Sequence, residues 1–135
     1  GGHRIAVYCF DLNGFKPVND RYGHPTGDQL LVALARRLSV LAGTTDILAR
    51  IGGDEFVIVH MLDEHVDDAE FLAQRILRAI GAPFQIRGHE IQISASLGWA
   101  AAAPGRRELD DLIAAADAAL YEAKLTGYRP ERATA

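Results

Sequence analysis

One cysteine, one methionine and one tryptophan stand among the 135 residues of this chain, and aromatic residues make up only 7% of it. With Cys9 alone, an internal disulfide is excluded and nothing covalent staples the fold. Its seat in the run Ile5-Ala-Val-Tyr-Cys-Phe10 marks it as a small buried hydrophobe. Long apolar runs are missing too, since no window approaches the ~18 consecutive apolar residues of a membrane span. Positive charge is scarce: 14 Lys and Arg face 18 Asp and Glu, for a formal net charge of −4. That balance argues against non-specific nucleic-acid binding, whose affinity rests on basic side chains neutralising phosphates. A phosphate site in this chain must therefore rest on local donors and metal. Repeats and low-complexity segments are absent as well.

What is present suffices for one domain with a real core, because 49% of the residues are hydrophobic. The elements read in the order β-α-α-β-β-α-β-β-α. Residues 5–10 form a continuous apolar run, as expected of a central strand buried on both faces, and it ends at Asp11. Residues 14–22 predict a short helix, with Pro17 tolerated in its first turn. Leu31, Leu34, Leu38 and Leu41 recur at helical steps and predict a helix over 26–41, ended by Gly43. Residues 46–51 and 55–61 predict a hairpin around Gly52-Gly53, where both turn positions can take φ > 0 without strain. A helix opened by Asp67-Asp68 buries Ala69, Leu72, Ala73, Ile76 and Ile80, then stops at Gly81 and Pro83. Phe84-Gln-Ile86 and residues 89–97 flank Arg87-Gly88 as a second hairpin with one buried face. Residues 100–103 are a strand end or a loop, and a last helix covers 107–125. The expected fold class is α+β, a mixed β-sheet with packed helices.

Chemistry concentrates in two stretches. Asp11 ends a buried strand and is followed by Gly14 and Lys16, which suits a metal ion beside a phosphate: the strand fixes the carboxylate and the lysine supplies a point charge. Asp54 and Glu55 leave the Gly-Gly turn together, and adjacent carboxylates beside glycine suit a divalent cation close to a ligand. Between them, Asn19-Asp20, Gly23-His24 and Gly27-Asp28 make a short span rich in hydrogen-bonding groups. Plainer roles compete: an ordinary solvent-facing turn for Gly-Gly-Asp-Glu, and a turn cap for Asp11.

Three blocks lie in order: Asp11-Leu-Asn-Gly-Phe-Lys-Pro-Val-Asn-Asp-Arg-Tyr-Gly-His-Pro-Thr-Gly-Asp28, Arg50-Ile-Gly-Gly-Asp-Glu-Phe56, and Ala116-Asp-Ala-Ala-Leu-Tyr-Glu-Ala-Lys124 followed by Gly127. Together they resemble the GGDEF family, the diguanylate cyclases that make cyclic di-GMP from two GTP molecules. The resemblance implies the nucleotidyl-cyclase palm, a ferredoxin-like variant. It also implies that residues 1–135 are a single GGDEF domain, trimmed at its N-terminus and excised from a longer multidomain protein. Metal, Mg²⁺ or Mn²⁺, is implied at Asp11, the Leu12 carbonyl, Asp54 and Glu55. Asp54 and Glu55 are the implied catalytic pair, with Glu55 completing the metal site or helping to deprotonate the attacking hydroxyl.

Guanine is the implied base, read by Asn19 and Asp28; adenine lacks the donor pair those acceptors need. Phe15, Lys16, Gly52, Gly53 and Lys124 complete the implied substrate-binding set, with both lysines on phosphates. Asp20 and His24 match the motif but read as structural hydrogen bonders. GTP is the implied partner, with a homodimer in the active parent, no nucleic acid and no direct membrane contact by this domain. The implied compartment is the cytoplasm, whether or not the parent is membrane-anchored. The alternative is a catalytically weak GTP-binding regulatory module that controls an attached phosphodiesterase domain. A purely structural module leaves the surviving acids unexplained. Three departures stand out: Tyr128 replaces a usual Arg, with Arg129 and Pro130 after it; Asn13 stands where many relatives have Asp; and the inhibitory Arg-x-x-Asp is Gly43-Thr44-Thr45-Asp46 here. The lost guanidinium implies no product feedback at that surface.

Overall fold

In the computed structural model, which describes residues 3–41, 47–52, 54–63, 69–102, 108–126 and 131–132, the apolar run around Tyr8 becomes the central strand β1 (His3–Asn13). It pairs antiparallel with β3 (Glu55–Asp63) on one side and β6 (Ser94–Ala102) on the other. Adding β2 (Ile47–Gly52) beyond β3 and β7 (Glu131–Arg132) parallel to β6 gives the order β2-β3-β1-β6-β7.

Side chains alternate between the faces of a strand, and β1 buries both. Ala6, Tyr8, Phe10 and Leu12 pack under α1 (Phe15–Tyr22), α2 (His24–Leu41) and α3 (Ala69–Gly81), while Val7 and Cys9 pack under α4 (Leu109–Thr126). All five residues from Ala6 to Phe10 are fully inaccessible, as the unbroken apolar run predicts. Aromatic stacking reinforces the larger core: Phe10 lies on Phe56 with centroids 5.3 Å apart, worth ~0.5–1.5 kcal/mol beyond burial. Tyr8 stacks on Trp99, and its hydroxyl donates to the Ala69 carbonyl at 2.8 Å, tying the sheet to the start of α3. At the other end of α3, Arg37 of α2 donates to the carbonyls of Ala79, Ala82 and Pro83 and lies 3.6 Å over the Phe84 ring. Those carbonyls are what a helix end leaves unpaired, so one helix caps another.

The predicted elements appear in their predicted order, with corrections of extent and of number. β1 does not stop at Asp11 but continues through Leu12 to Asn13. Asp11 caps nothing either, since α1 has Gly14 at its N-cap and no side-chain cap bond. Residues 89–97 are not one strand. β5 (His89–Ile91) pairs only with β4 (Phe84–Ile86) in a separate two-stranded sheet, and β6 then crosses to lie beside β1. The reason lies in burial: the one-faced alternation lasts to Ile93, but Ala95 to Ala100 are buried throughout, Ser96 included. A strand buried on both faces belongs in the middle of a sheet. Residues 100–102 prove to be the strand end, and β7 has no counterpart in the sequence reading. Gly43, Asp46, Gly53, Asp67, Asp68, Gly127, Tyr128, Arg129 and Pro130 lie outside the described residues. Among the described residues, no helix is long and apolar enough to cross a membrane.

Candidate active site

Strand register assembles the acids. Asp11 pairs with Glu55 one alternation beyond the Cys9–Val57 pair, so both carboxylates share the face of Val7, Cys9 and Val57, the face that α4 covers. Leu12 points the other way into the larger core, and its N–H donates to the Asp54 carbonyl at 3.1 Å. That bond fastens the turn carrying Asp54 to the end of β1. From α4, Lys124 forms an ion pair with Asp11 Oδ2. Two helical turns earlier, Asp117 hydrogen-bonds Glu55. Asn13 lies on this face as well and donates to Ser96 Oγ at 3.4 Å. Asp11, Leu12, Asn13, Gly52, Asp54, Glu55 and Lys124 line one cleft of about 390 Å³.

The seat of α4 explains why its side chains reach the acids. Gly98 pairs with Cys9 and therefore lies beneath the helix. A Cβ on Gly98 would stand 2.5 Å from Ala116 O and from Ala119 C, and nearer still to Leu120 N. Helix backbone rests directly on strand backbone there.

Charges in this cleft are paired with one another. The Glu55 carboxyl is pushed up to about 7, first by its hydrogen bond with Asp117, then by burial and by the charges of Asp117 and Asp11, with Lys124 opposing. Lys124 is raised by its bond to Asp11 and by the field of the three acids, against the effect of burial. Burial, with help from the same acids, pushes the Cys9 thiol up to about 12, and its Sγ sits 3.8 Å from the Ile113 carbonyl. A thiol that never ionises is structural, as the apolar run implies. The donors available for a cation are carboxylate and carbonyl oxygens, which fit a hard dication in kind. They do not converge: among the described residues, no three His, Cys, Asp or Glu groups are set to hold a metal ion. Asp11 turns instead to Lys124, and Glu55 to Asp117.

A second cleft of about 390 Å³ lies between α1, α2 and β2, lined by Phe15, Lys16, Asn19, His24, Asp28, Leu31, Arg50 and Asp54. Phe15 is buried at its base, and Asn19 Oδ1 is buried with no hydrogen-bond partner among the described residues. Asp54 borders both clefts. Lys16 and Lys124, both expected at phosphate, stand in different clefts, on either side of Asp54. Phe15, Asn19 and Asp28 come together as expected; Gly52 lines the first cleft, and Gly53 is outside the described residues. His24, read as structural, also faces the second cleft. Asp20 is exposed and lines neither. Arg50 and Asp117 were given no role by the sequence reading. The signal for Asp117 was its spacing: seven residues before Lys124 is two turns on one helical face.

A mostly antiparallel sheet with helices on both faces and acids at the adjoining ends of two central strands is the arrangement of a nucleotidyl-cyclase palm. The GGDEF diguanylate cyclase domain family matches residues 1–130, and the chain belongs to it. Over 124 residues it is 44% identical to MucR of Pseudomonas aeruginosa, a bifunctional diguanylate cyclase/cyclic di-GMP phosphodiesterase. That alignment covers 92% of this chain and 18% of MucR, so the chain spans less than a fifth of the relative's length. Among solved structures, the GGDEF domain of YfiN (TpbB) from Pseudomonas aeruginosa matches with a TM-score of 0.84 at 32% identity, covering 98% of this chain and 84% of that one. The GGDEF domain of DgcB from Caulobacter crescentus, solved in complex with c-di-GMP, matches with a TM-score of 0.80 at 29% identity, covering 98% and 79%.

Proposed function

We propose that this domain condenses two GTP molecules into cyclic di-GMP, releasing two pyrophosphates, as a two-fold dimer in which each copy presents one nucleotide. The observation that carries this reading is the place of Asp54, which borders both an acid-and-lysine cleft and a cleft suited to a base. A cation such as Mg²⁺ or Mn²⁺, held by Asp11, Asp54, Glu55 and the Leu12 carbonyl, would neutralise charge on the phosphate oxygens. Asp28 accepts from the guanine N1–H and one 2-amino hydrogen, while Asn19 accepts the other 2-amino hydrogen at Oδ1 and donates from Nδ2 to N3. Adenine offers no such donor pair, so ATP would leave the buried Asn19 acceptor unpaired. Lys124 and Lys16 supply positive charge from opposite sides of Asp54.

Each ribose 3′-oxygen attacks the α-phosphorus of the other nucleotide. The new O–P bond forms as the bond to pyrophosphate breaks, and ionised Glu55 takes the hydroxyl proton. The substrate sets the work in the cytoplasm. The regulatory reading, GTP binding without turnover, draws support from the Lys124–Asp11 pair and the unconverged acids. Incubating the chain, fused to a dimeric coiled coil, with Mg²⁺ and GTP or ATP, and reading products by mass spectrometry, separates the two. Cyclic di-GMP from GTP alone is the expected result. GTP bound in calorimetry without product selects the regulatory reading, and no GTP binding overturns both.

A further inference from the structure

Gly27 lies in the first turn of α2, against the Asn19 side chain of α1. A Cβ added there would overlap Asn19 Oδ1, stand 2.9 Å from Asn19 Cγ and 3.4 Å from Phe15 Cζ. The carboxamide thus occupies the space where any other residue would carry a side chain. Oδ1 is also the one buried side-chain polar atom left without a partner among the described residues. The Asn19 backbone carbonyl, by contrast, accepts from the Gly23 N–H at 2.9 Å. Buried acceptors are normally satisfied, and the cleft shared with Phe15 and Asp28 is where a ligand donor reaches this one.

We propose that Gly27 is a positioning residue for the base: its missing side chain is the slot that holds the Asn19 carboxamide in place to pair with the nucleotide. The proposal deepens the guanine assignment above and rests on it. The atoms nearest the added methyl are the far end of a side chain, not backbone. Gly27 is not among the glycines at positive φ. An alanine therefore fits the helix, and it is the better helix former. What must give way is Asn19, which swings out of the slot. A glycine kept only for backbone freedom would lose fold and function together; this one predicts that they separate.

The test is a double-mutant cycle on the full chain, titrating GTP with Mg²⁺ by calorimetry and melting each variant. Gly27→Ala is expected to weaken GTP binding about 10-fold, with the melting temperature unchanged or raised. In the Asn19→Ala background, the same substitution should change affinity less than about 2-fold, because the group it displaces is already gone. An unchanged affinity in Gly27→Ala overturns the proposal, as does an equal loss in both backgrounds. A second readout needs no nucleotide: the Asn19 side-chain amide signal in a ¹⁵N–¹H spectrum, assigned by its disappearance in Asn19→Ala. It should move in Gly27→Ala, and a stationary signal overturns the slot. Failure of the unmutated chain to bind GTP, with the signal still moving, would sink the guanine assignment and leave Gly27 as the residue that places Asn19.

Discussion

Gly98 and Gly27 both leave out a side chain where two elements touch, yet the touching atoms differ. Beneath α4, the atoms that a Cβ on Gly98 would meet are helix backbone; at α2, those facing Gly27 are the end of the Asn19 side chain. The two clefts differ in the same sense. On the α4 side, Lys124 is bonded to Asp11 and Asp117 to Glu55, so the charged groups satisfy one another. On the α1–α2 side an acceptor is left over. The cleft proposed for phosphate charge is held by backbone against backbone, which no rotamer change can relax. The cleft proposed for the base is held by a side chain that can turn away. On that assignment, positioning for charge is built into the fold, and positioning for specificity is set on top of it.

The hardest break of this contrast is at the shared wall. Asp54→Ala should cut product formation at least ~100-fold, because the proposed cation ligand and one border of both clefts go together. The melt should barely change, since the structural contribution of Asp54 is its carbonyl to Leu12, which alanine keeps. Product above a few per cent of the original would remove Asp54 from the machinery. Next in size, Gly98→Ala should lower unfolding free energy in urea by ~1–3 kcal/mol through overpacking against α4. Gly27→Ala should leave it level or raise it by up to ~1 kcal/mol. Equal costs at the two glycines would erase the distinction. Smaller again, Asp28→Ala should weaken GTP binding about 10-fold and abolish the preference over ATP, read by calorimetry. Unchanged GTP affinity would show that the base cleft has been misplaced.

Much of this was legible in the chain because it rests on local patterns. The unbroken run at residues 5–10 gave a central strand, and the leucine spacing gave α2. The in-line signature acids gave a hairpin root beside Asp11. What escaped reading depends on register and on contacts between distant elements. Asp11 and Glu55 share a face only because β1 pairs with β3 at that register, and a one-residue slip would separate them. The break between β5 and β6 was hidden because Ile91, Ile93, Ala95 and Leu97 keep period two straight through it. Only the burial of Ser96 and its neighbours on both faces reveals the crossing. Gly27 and Gly98 are bare letters in a sequence, and their meaning is in the atoms opposite. Asp117 is the miss with a readable cue, since its two-turn spacing from Lys124 places both on the helix face turned toward Asp11.

Asp117 also supplies the finest test of the difference between the clefts, through pH. Glu55 holds its proton in the fold up to about 7, against an ordinary value of 4.5, chiefly through the bond with Asp117. The folded state thus binds this proton more tightly than the unfolded chain does. Stability from this source is complete below about pH 4.5, falls as pH rises, and is lost above about 7. Asp117→Asn removes a like charge and offers the ionised Glu55 an amide donor, so the carboxyl should return toward its ordinary range. Melting curves from pH 5 to 8 should therefore decline less steeply in Asp117→Asn than in the unmutated chain. The gap should grow to on the order of 2 °C at the alkaline end, kept small because the pair is largely exposed to solvent. Other ionisable groups are common to both proteins and cancel in the difference. Parallel curves would mean that Glu55 and Asp117 share no proton, and that the pairing of charges on the α4 side stops at Lys124 and Asp11.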